Sequence, residues 1–322
     1  MSESQAVRVR VKSMTWLAIN VLGVTLETLD GQALPAFTAG SHIDLRLSPK
    51  LSRSYSIVGH GGMTSRYEIA VAKDAKSRGG SKHVHEVLRV GDEVQISEPR
   101  NLFALSDAKG PSVLIAGGIG ITPIWAMVQH LEAVGRPWLL CYAARSRAHA
   151  AYINEIESLA ARSSIGQLIT HFDDAHAGAP LNLAALLATV SRDAQLYCCG
   201  PQPMLSAFES AAAPWPAAQV HLERFTVVQP AADAGEFKLV LQRSGIELMV
   251  PAARSILDVM LGAGINAQYG CMQGACGMCE VPVLDGVPEH LDHLLSDDVK
   301  QANRSMLICC SRSRTPTLTL DA

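Results

Sequence analysis

Charge is scarce in this chain: 18% of its 322 residues are Asp, Glu, Lys or Arg, and the formal net charge is −3. That balance offers little to a polyanion, so no nucleic-acid partner is expected. The stretch from Met1 to Lys12 alternates charged and apolar residues and lacks an apolar h-region. No secretory signal is therefore expected, and the chain reads as cytoplasmic. Internal repeats and low-complexity tracts are absent. One window, Gly110 to Leu131, has no charged residue at all. It contains Pro111, Pro123 and four glycines, so it reads as strand, loop and helix, and no membrane association is expected. Also missing is the double C-x2-C arrangement that structural zinc usually takes, although eight cysteines are present. Hydrophobic residues make up 48% of the chain, enough for two or three domains with ordinary cores.

Three textures follow one another. Up to residue 108 the chain runs in short alternating segments, such as Val7 to Val11, His42 to Leu47, Tyr67 to Ala72 and Glu93 to Ile96, broken by glycine, proline and asparagine. This pattern predicts a small antiparallel β-barrel, with one helix near Val84 to Arg89. Over 109–226 uninterrupted apolar strands (Ser112 to Ala116, Trp138 to Ala143, Leu168 to Phe172, Gln195 to Cys198) alternate with helical spacing (Pro123 to Val134, Ala150 to Ala161, Pro203 to Ala213). Strands buried on both faces predict an α/β domain with a parallel sheet. Residues 227–236 have linker composition. Residues 237–322 form a third unit: a hairpin around Ser244-Gly245, a helix over Ser255 to Ala263, then a cysteine-rich loop.

That loop has the spacing Cys271-x4-Cys276-x2-Cys279, followed by 29 intervening residues to Cys309. Three thiolates converge from one tight loop, and Gly270, Gly274, Ala275 and Gly277 let its backbone N–H groups approach the sulfurs. The pattern resembles that of plant-type [2Fe–2S] ferredoxins, and implies an α+β, β-grasp fold for this unit. The alternatives are zinc or unliganded thiols. Chemistry alone leaves Cys309 and Cys310 as rival fourth ligands; the resemblance favours Cys309, with Cys310 on the other face of a strand.

Arg53-Ser54-Tyr55-Ser56 resembles the R-x-Y-[ST] motif of the ferredoxin reductase superfamily. Arg53 suits a flavin phosphate, Tyr55 an isoalloxazine face and Ser56 the flavin edge. Downstream, Gly79-Gly80-Ser81 precedes a helix and suits a phosphate. The FMN-binding branch of the superfamily places a Gly-Gly-Ser loop on the terminal phosphate and has no adenosine site, which implies FMN. Ser54, Val71 and Lys73 complete the flavin-binding set that the resemblance implies. Without this context R-x-Y-S is an ordinary exposed strand.

Gly117-Gly118-Ile119-Gly120-Ile121-Thr122-Pro123 follows an apolar strand and opens a helix, the setting in which a backbone approaches a pyrophosphate. Thr122 is expected as N-cap with Pro123 at the first helical position. Cys199-Gly200-Pro201 resembles the superfamily's C-G-P motif, which puts a cysteine beside the nicotinamide C4; the alternative is a small buried thiol. Phe225, after Glu223-Arg224, matches an aromatic residue that covers the flavin. Arg145 and Arg147 stand where the adenosine ribose is read, and arginines there suit a 2′-phosphate, whereas the family's usual donor is NADH.

The order barrel, nicotinamide domain, C-terminal ferredoxin resembles the phthalate dioxygenase reductase family, which includes vanillate O-demethylase reductases. The resemblance implies a reductase that passes electrons from NADH through FMN to [2Fe–2S], and on to a terminal Rieske oxygenase. The chemistry reaches the same sequence independently. A nicotinamide yields two electrons at once, a cluster takes one, and a flavin mediates between them. Ser56, Thr122, Cys199 and Phe225 are then ring neighbours that position and tune. The rivals are a stand-alone flavin or ferredoxin reductase, and a nucleotide-binding iron–sulfur sensor. Between Glu280 and Val299 lie Glu280, Asp285, Glu289, Asp292, Asp297 and Asp298 with no Lys or Arg. They suit a basic partner or, alternatively, plain solvation.

Overall fold

Alternation decides the first element. β1 (Ala6–Ala18) buries Val9 and Val11 while Arg8, Arg10 and Lys12 face water. The computed structural model describes residues 6–49, 51–75, 77, 79–108, 110–225, 235–252, 254–269, 272, 274, 277–292 and 294–322, without the side chain of Met63. Cys271 and Cys276 lie outside the described residues, as do 226–234 of the expected linker.

β1 is joined by β2 (Val21–Thr28), β3 (Ser41–Ser48), β4 (Leu51–Val58), β5 (Arg66–Ala72), β6 (Glu93–Ser97) and β7 (Arg100–Asn101). Their order is β4-β5-β2-β1-β6-β3-β7, and a further β3–β4 pairing closes the barrel. Inward side chains such as Val24, Leu26, Ile43, Leu45, Ile57, Ile69 and Ile96 fill it. Helix α1 (Gly80–Glu86) packs Val84 into this core. It starts four residues earlier than its spacing suggests, because Gly79, at φ +97°, turns the chain directly into it. It also stops before Arg89, whose N–H is taken by Asp92 Oδ2 in the turn that Gly91 makes at φ +94°.

The next segment is an all-parallel sheet in the order β10-β9-β8-β11-β12: β8 (Ser112–Gly117), β9 (Trp138–Ala144), β10 (Gly166–Phe172), β11 (Gln195–Cys199) and β12 (Val220–Glu223). Helices α2 (Ile121–Ala133), α3 (Ile153–Arg162), α4 (Leu183–Ala188) and α5 (Gln202–Ala212) connect the strands. β8 is buried along its whole length, as expected of a central parallel strand. The uncharged window becomes β8, a glycine turn and α2. Among the described residues, no helix is long and apolar enough to cross a membrane.

Residues 2–225 form one unit. Its two halves share a core in which Ala18, Val21, Ala70 and Phe103 meet Leu114, Ile121, Trp125 and Tyr197. Ile19 N–H donates to Ala148 O at 2.9 Å, and the Tyr152 hydroxyl donates to Glu68 Oε1 at 2.7 Å. Burial and the neighbouring Glu68 raise the Tyr152 pKa well above the phenol range, so the hydroxyl keeps its proton.

The described residues from 235 to 322 form the other unit. Its mixed sheet has the order β14-β13-β17-β15-β16: β13 (Phe237–Leu241), β14 (Ile246–Val250), β15 (Glu280–Asp285), β16 (Ser305–Leu307) and β17 (Thr317–Leu320). Gly245, at φ +65°, turns the first hairpin. Helix α6 (Ile256–Gly262) packs on the sheet, and Ser255 caps it by accepting from Asp258 N–H at 3.0 Å. Helix α7 (Asp297–Ala302) begins within the acidic segment and carries its last two acids, Asp297 and Asp298.

Arg312 is 1% exposed, and among the described residues its guanidinium donates to three carbonyls: Pro251 at 3.2 Å, Arg254 at 2.8 Å and Gly235 at 2.9 Å. Its guanidinium also lies over the Phe237 ring at 5.2 Å. A buried guanidinium has to place its donors, and here it ties the strand entrance at Gly235 to the chain just past Cys309. Arg312→Met is expected to leave these acceptors unpaired and destabilise this unit by about 1–3 kcal/mol. A thermal melt followed by circular dichroism checks it, and an unchanged midpoint would contradict the role.

Candidate functional site

β4 carries the flavin motif. Arg53 is half-buried beside α1: a Cβ at Gly80 would lie 2.5 Å from Arg53 Cγ. The Arg53 side chain crosses the start of α1 at Gly80 and its Nη1 donates to the Ser52 carbonyl at 2.7 Å, so it stands beside a Gly79-Gly80-Ser81 turn of a composition that suits a phosphate. Ser81 Oγ accepts from Asp74 N–H at 3.1 Å. Tyr55 is pushed up to about 12 by burial, with Arg53 pulling the other way. It remains a neutral ring, suited to stacking. Val71 points into the barrel core and its carbonyl meets His85 Nε2 at 2.9 Å, while Lys73 pairs with Glu86 at 3.1 Å.

Ser54 and Ser56 point to the other side of β4, where sequence reasoning saw nothing further. There Ser54 donates to Asp44 Oδ1 at 2.5 Å, and Arg100 pairs with Asp44 Oδ2. Ser56 lies opposite His42 in the β3–β4 register, and both are buried. Neither ring nitrogen of His42 has a hydrogen-bond partner among the described residues. Burial, then the Arg100 charge, lowers its pKa to about 4 against a smaller opposing pull from Asp44, so the ring is neutral. The one signal in the sequence was period two: His42 and Asp44 occupy the alternate face of a strand whose Ile43 and Leu45 are core.

Two loops meet at the nicotinamide motif. A Cβ at Gly120 would lie 2.2 Å from the Cys199 carbonyl oxygen. One at Gly117 would lie 2.7 Å from both Pro201 Cδ and Met204 Sδ, and one at Gly200 would lie 2.7 Å from Met204 Sδ. Gly118, at φ +55°, has open space instead. The glycines thus press the β8–α2 loop against the β11–α5 loop and leave Gly118 facing open space at the start of a helix, the setting in which a backbone can approach a phosphate.

Thr122 is not the N-cap. Gly118 to Gly120 form a 3₁₀ turn that runs straight into α2 at Ile121. Thr122 and Pro123 therefore occupy the second and third helical positions, and the Thr122 hydroxyl donates back to Ile119 O at 3.0 Å. Proline is tolerated there because a first-turn residue lacks an intrahelical partner for its N–H.

Cys199 is fully buried, and burial raises its thiol well above the normal range, with Glu223 adding to the shift. It is therefore a neutral neighbour, not a nucleophile. Glu223 stands opposite it in the parallel β11–β12 register. Burial raises this carboxyl from 4.5 to about 8. Glu223 is half-buried with its Oε2 shielded from solvent, and nothing local in the sequence marks that carboxylate. Phe225 packs, half-buried, against the cluster that contains Cys199, Ile121 and Trp125. Arg145 is exposed at the end of β9.

In the other unit Cys279 and Cys309 are each 3% exposed and come together from distant loops. The Cys309 thiol is in hydrogen-bond contact with Cys279 and Cys310, and the Gly274 N–H donates to it. Gly274, at φ +68°, is crowded: a Cβ would lie 2.7 Å from Cys310 Sγ and 3.1 Å from Asp292 Cα. Converging thiols with a backbone N–H aimed at one of them suit an iron–sulfur cluster. Cys310 does not project from the far face of a strand. Residues 308–310 form a turn after β16, and Cys310 stays buried beside Cys309. Asp292 is not part of an exposed acidic face either: it is 3% exposed, its Oδ2 accepts from Leu295 N–H at 2.9 Å, and Lys300 lies 3.6 Å away.

Two family models match the chain. Residues 239–314 match the 2Fe-2S iron-sulfur cluster binding domain, and residues 114–210 match the oxidoreductase NAD-binding domain. The chain is 43% identical to phenoxybenzoate dioxygenase subunit beta of Ectopseudomonas oleovorans, over 98% of this chain and 97% of the relative. It is 40% identical to vanillate O-demethylase oxidoreductase of a Pseudomonas species, over 98% and 99%. The solved structure of phthalate dioxygenase reductase, described as modular for electron transfer from pyridine nucleotides to [2Fe–2S], superposes with a TM-score of 0.81 at 30% identity, covering 99% of both chains.

Glu223 gives this site a measurable signature. The fold binds its proton up to about pH 8, whereas the unfolded chain releases it near 4.5. Its contribution to stability is therefore full below the unfolded value and is lost as pH rises toward 8. Glu223→Gln, which stays neutral, should gain in melting temperature relative to the native chain between pH 5 and pH 8. A pH-independent difference would contradict a Glu223 that the fold keeps protonated.

Proposed function

The chain belongs to the phthalate dioxygenase reductase-like family, and from that premise we propose that it is the cytoplasmic reductase of an oxygenase system, carrying electrons from NADH through FMN to a [2Fe–2S] cluster and on to a terminal Rieske oxygenase. We assign the flavin to residues 1–108, the nicotinamide to 109–226 and the cluster to 237–322, with 227–236 as the linker. The observation that carries the reading is the meeting of buried Cys279 and Cys309 under the Gly274 N–H, in a chain that also holds a glycine-crowded nucleotide loop. When bound, a flavin supplies the exchange between hydride transfer and single-electron transfer.

In this reading Arg53, with Gly79, Gly80 and Ser81, holds the flavin phosphate. Tyr55 covers one ring face, and Ser56, the next residue of β4, borders the ring edge through its backbone while its side chain faces neutral His42. Gly118 admits the pyrophosphate. Thr122, with its hydroxyl turned to Ile119, and the neutral Cys199 thiol shape the nicotinamide pocket. Phe225 keeps water from the ring face that the nicotinamide will occupy. None of these groups needs to move a proton for hydride to pass, so their work is orientation and exclusion of water. Cys271, Cys276, Cys279 and Cys309 supply the four thiolates.

Three measurements test this. Flavin released from the purified protein should be FMN near one equivalent, with about two irons and two acid-labile sulfides. FAD would overturn the phosphate-loop assignment, and zinc would remove the terminal carrier. Second, Cys279→Ser and Cys309→Ser should each lose iron, whereas Cys310→Ser should retain it. NADH-dependent dye reduction should survive in all three; iron lost from Cys310→Ser but kept in Cys309→Ser would exchange those two as the fourth ligand. Third, Asp297 and Asp298 are exposed on α7. Replacing both with Asn should flatten the salt dependence of electron delivery to a basic acceptor, with cytochrome c as the probe. An unchanged salt dependence would assign these acids to solvation alone.

A further inference from the structure

In an open parallel sheet the coenzyme lies beyond the carboxyl ends of the strands, and residues after the second strand meet the adenosine ribose. Here that segment is Arg145-Ser146-Arg147, directly after β9. Two arginines at this place look built for a 2′-phosphate. The fold uses one of them otherwise. Arg147 Nη1 and Nη2 donate to Glu157 Oε1 and Oε2 of α3 at 2.5 and 2.7 Å, and Nη2 also donates to Asn154 Oδ1 at 2.9 Å. The planar fork is thus filled by a carboxylate in its preferred bidentate geometry.

The surroundings add negative charge. The Asp174 N–H donates to the Arg145 carbonyl at 3.0 Å, which brings the loop after β10, with Asp173 and Asp174, against the loop after β9. The two arginines are therefore accompanied by three carboxylates: Glu157, Asp173 and Asp174. A 2′-phosphate approaching Arg147 has to displace Glu157 and then sit near a carboxylate left unpaired. A ribose 2′-hydroxyl has no such conflict.

We propose that Glu157 is a specificity-determining residue for the nicotinamide coenzyme: by engaging Arg147 in a bidentate pair it withholds a guanidinium from the 2′ position, and so favours NADH over NADPH. The proposal rests on residues 109–226 being the nicotinamide site. Asn154 supports the same arrangement by holding Nη2 toward α3. Arg147 and Glu157 are both well exposed, so the pair is modest in strength and the discrimination should be tunable.

The test uses the full-length holoprotein, with 2′,5′-ADP and 5′-ADP as equilibrium probes in calorimetry, alongside kcat/KM for NADPH and NADH. Glu157→Gln keeps the shape and removes the charge. It should tighten 2′,5′-ADP by about two- to fivefold, leave 5′-ADP unchanged, and raise the NADPH-to-NADH ratio in kcat/KM in parallel. Adding Arg147→Met should abolish the gain. If Glu157→Gln leaves 2′,5′-ADP affinity unchanged, or if the gain persists without Arg147, the proposal fails while 5′-ADP binding still supports the site. If neither nucleotide binds any variant, the nicotinamide site itself is misplaced, and the proposal falls with it.

Discussion

Backbone crowding between two loops is the constraint on which the nicotinamide site depends. The turn after β8 and the turn after β11 approach until only hydrogens fit at Gly117, Gly120 and Gly200. Any side chain at Gly120 would strike the carbonyl of Cys199 itself. The contact fixes three things at once: the start of α2, the depth of the Cys199 thiol, and the outward exposure of Gly118. Because α2 also packs against β4, the same contact relates the nucleotide loop to the strand that carries Arg53, Tyr55 and Ser56.

The electrostatics of the site follow from that burial. Cys199, Glu223, Tyr55 and His42 all have pKa values displaced toward their neutral forms, each mainly by desolvation. A region lined by neutral groups does not compete for the charges that a flavin and a nicotinamide bring with them. The formal charges nearby lie at the margins of this region: Arg53 beside Gly80, and Arg145 exposed beyond β9. The ferredoxin unit makes a related choice. Arg312 is buried on carbonyls, and Asp292 is turned inward to Lys300 behind the Gly274 loop, so charge there holds backbone in place.

Much of this was legible in the sequence because local rules and tertiary needs coincide. Period two gave the barrel strands, continuous apolar runs gave the parallel strands, and cysteine spacing singled out the cluster loop. The errors lie where a distant partner decides. Thr122 has the composition of an N-cap, yet a 3₁₀ turn reaches the helix first. Cys310 has the alternation of a strand residue, yet the chain turns there under Gly274. β12 is four residues of parallel edge strand with no periodicity to read. Glu223 and His42 are polar residues whose burial comes from elements far away in the chain. Arg147 suits a phosphate until α3 supplies Glu157.

The central claim is that reducing equivalents entering at the nicotinamide loop reach the cluster in this same chain. Electron paramagnetic resonance at low temperature reads it most directly, on protein frozen after anaerobic addition of NADH. A rhombic signal of a reduced [2Fe–2S] centre, accounting for most of the protein and lost in Cys279→Ser, is the predicted result. NADH oxidation with no such signal, in protein that contains its iron and sulfide, would contradict the account.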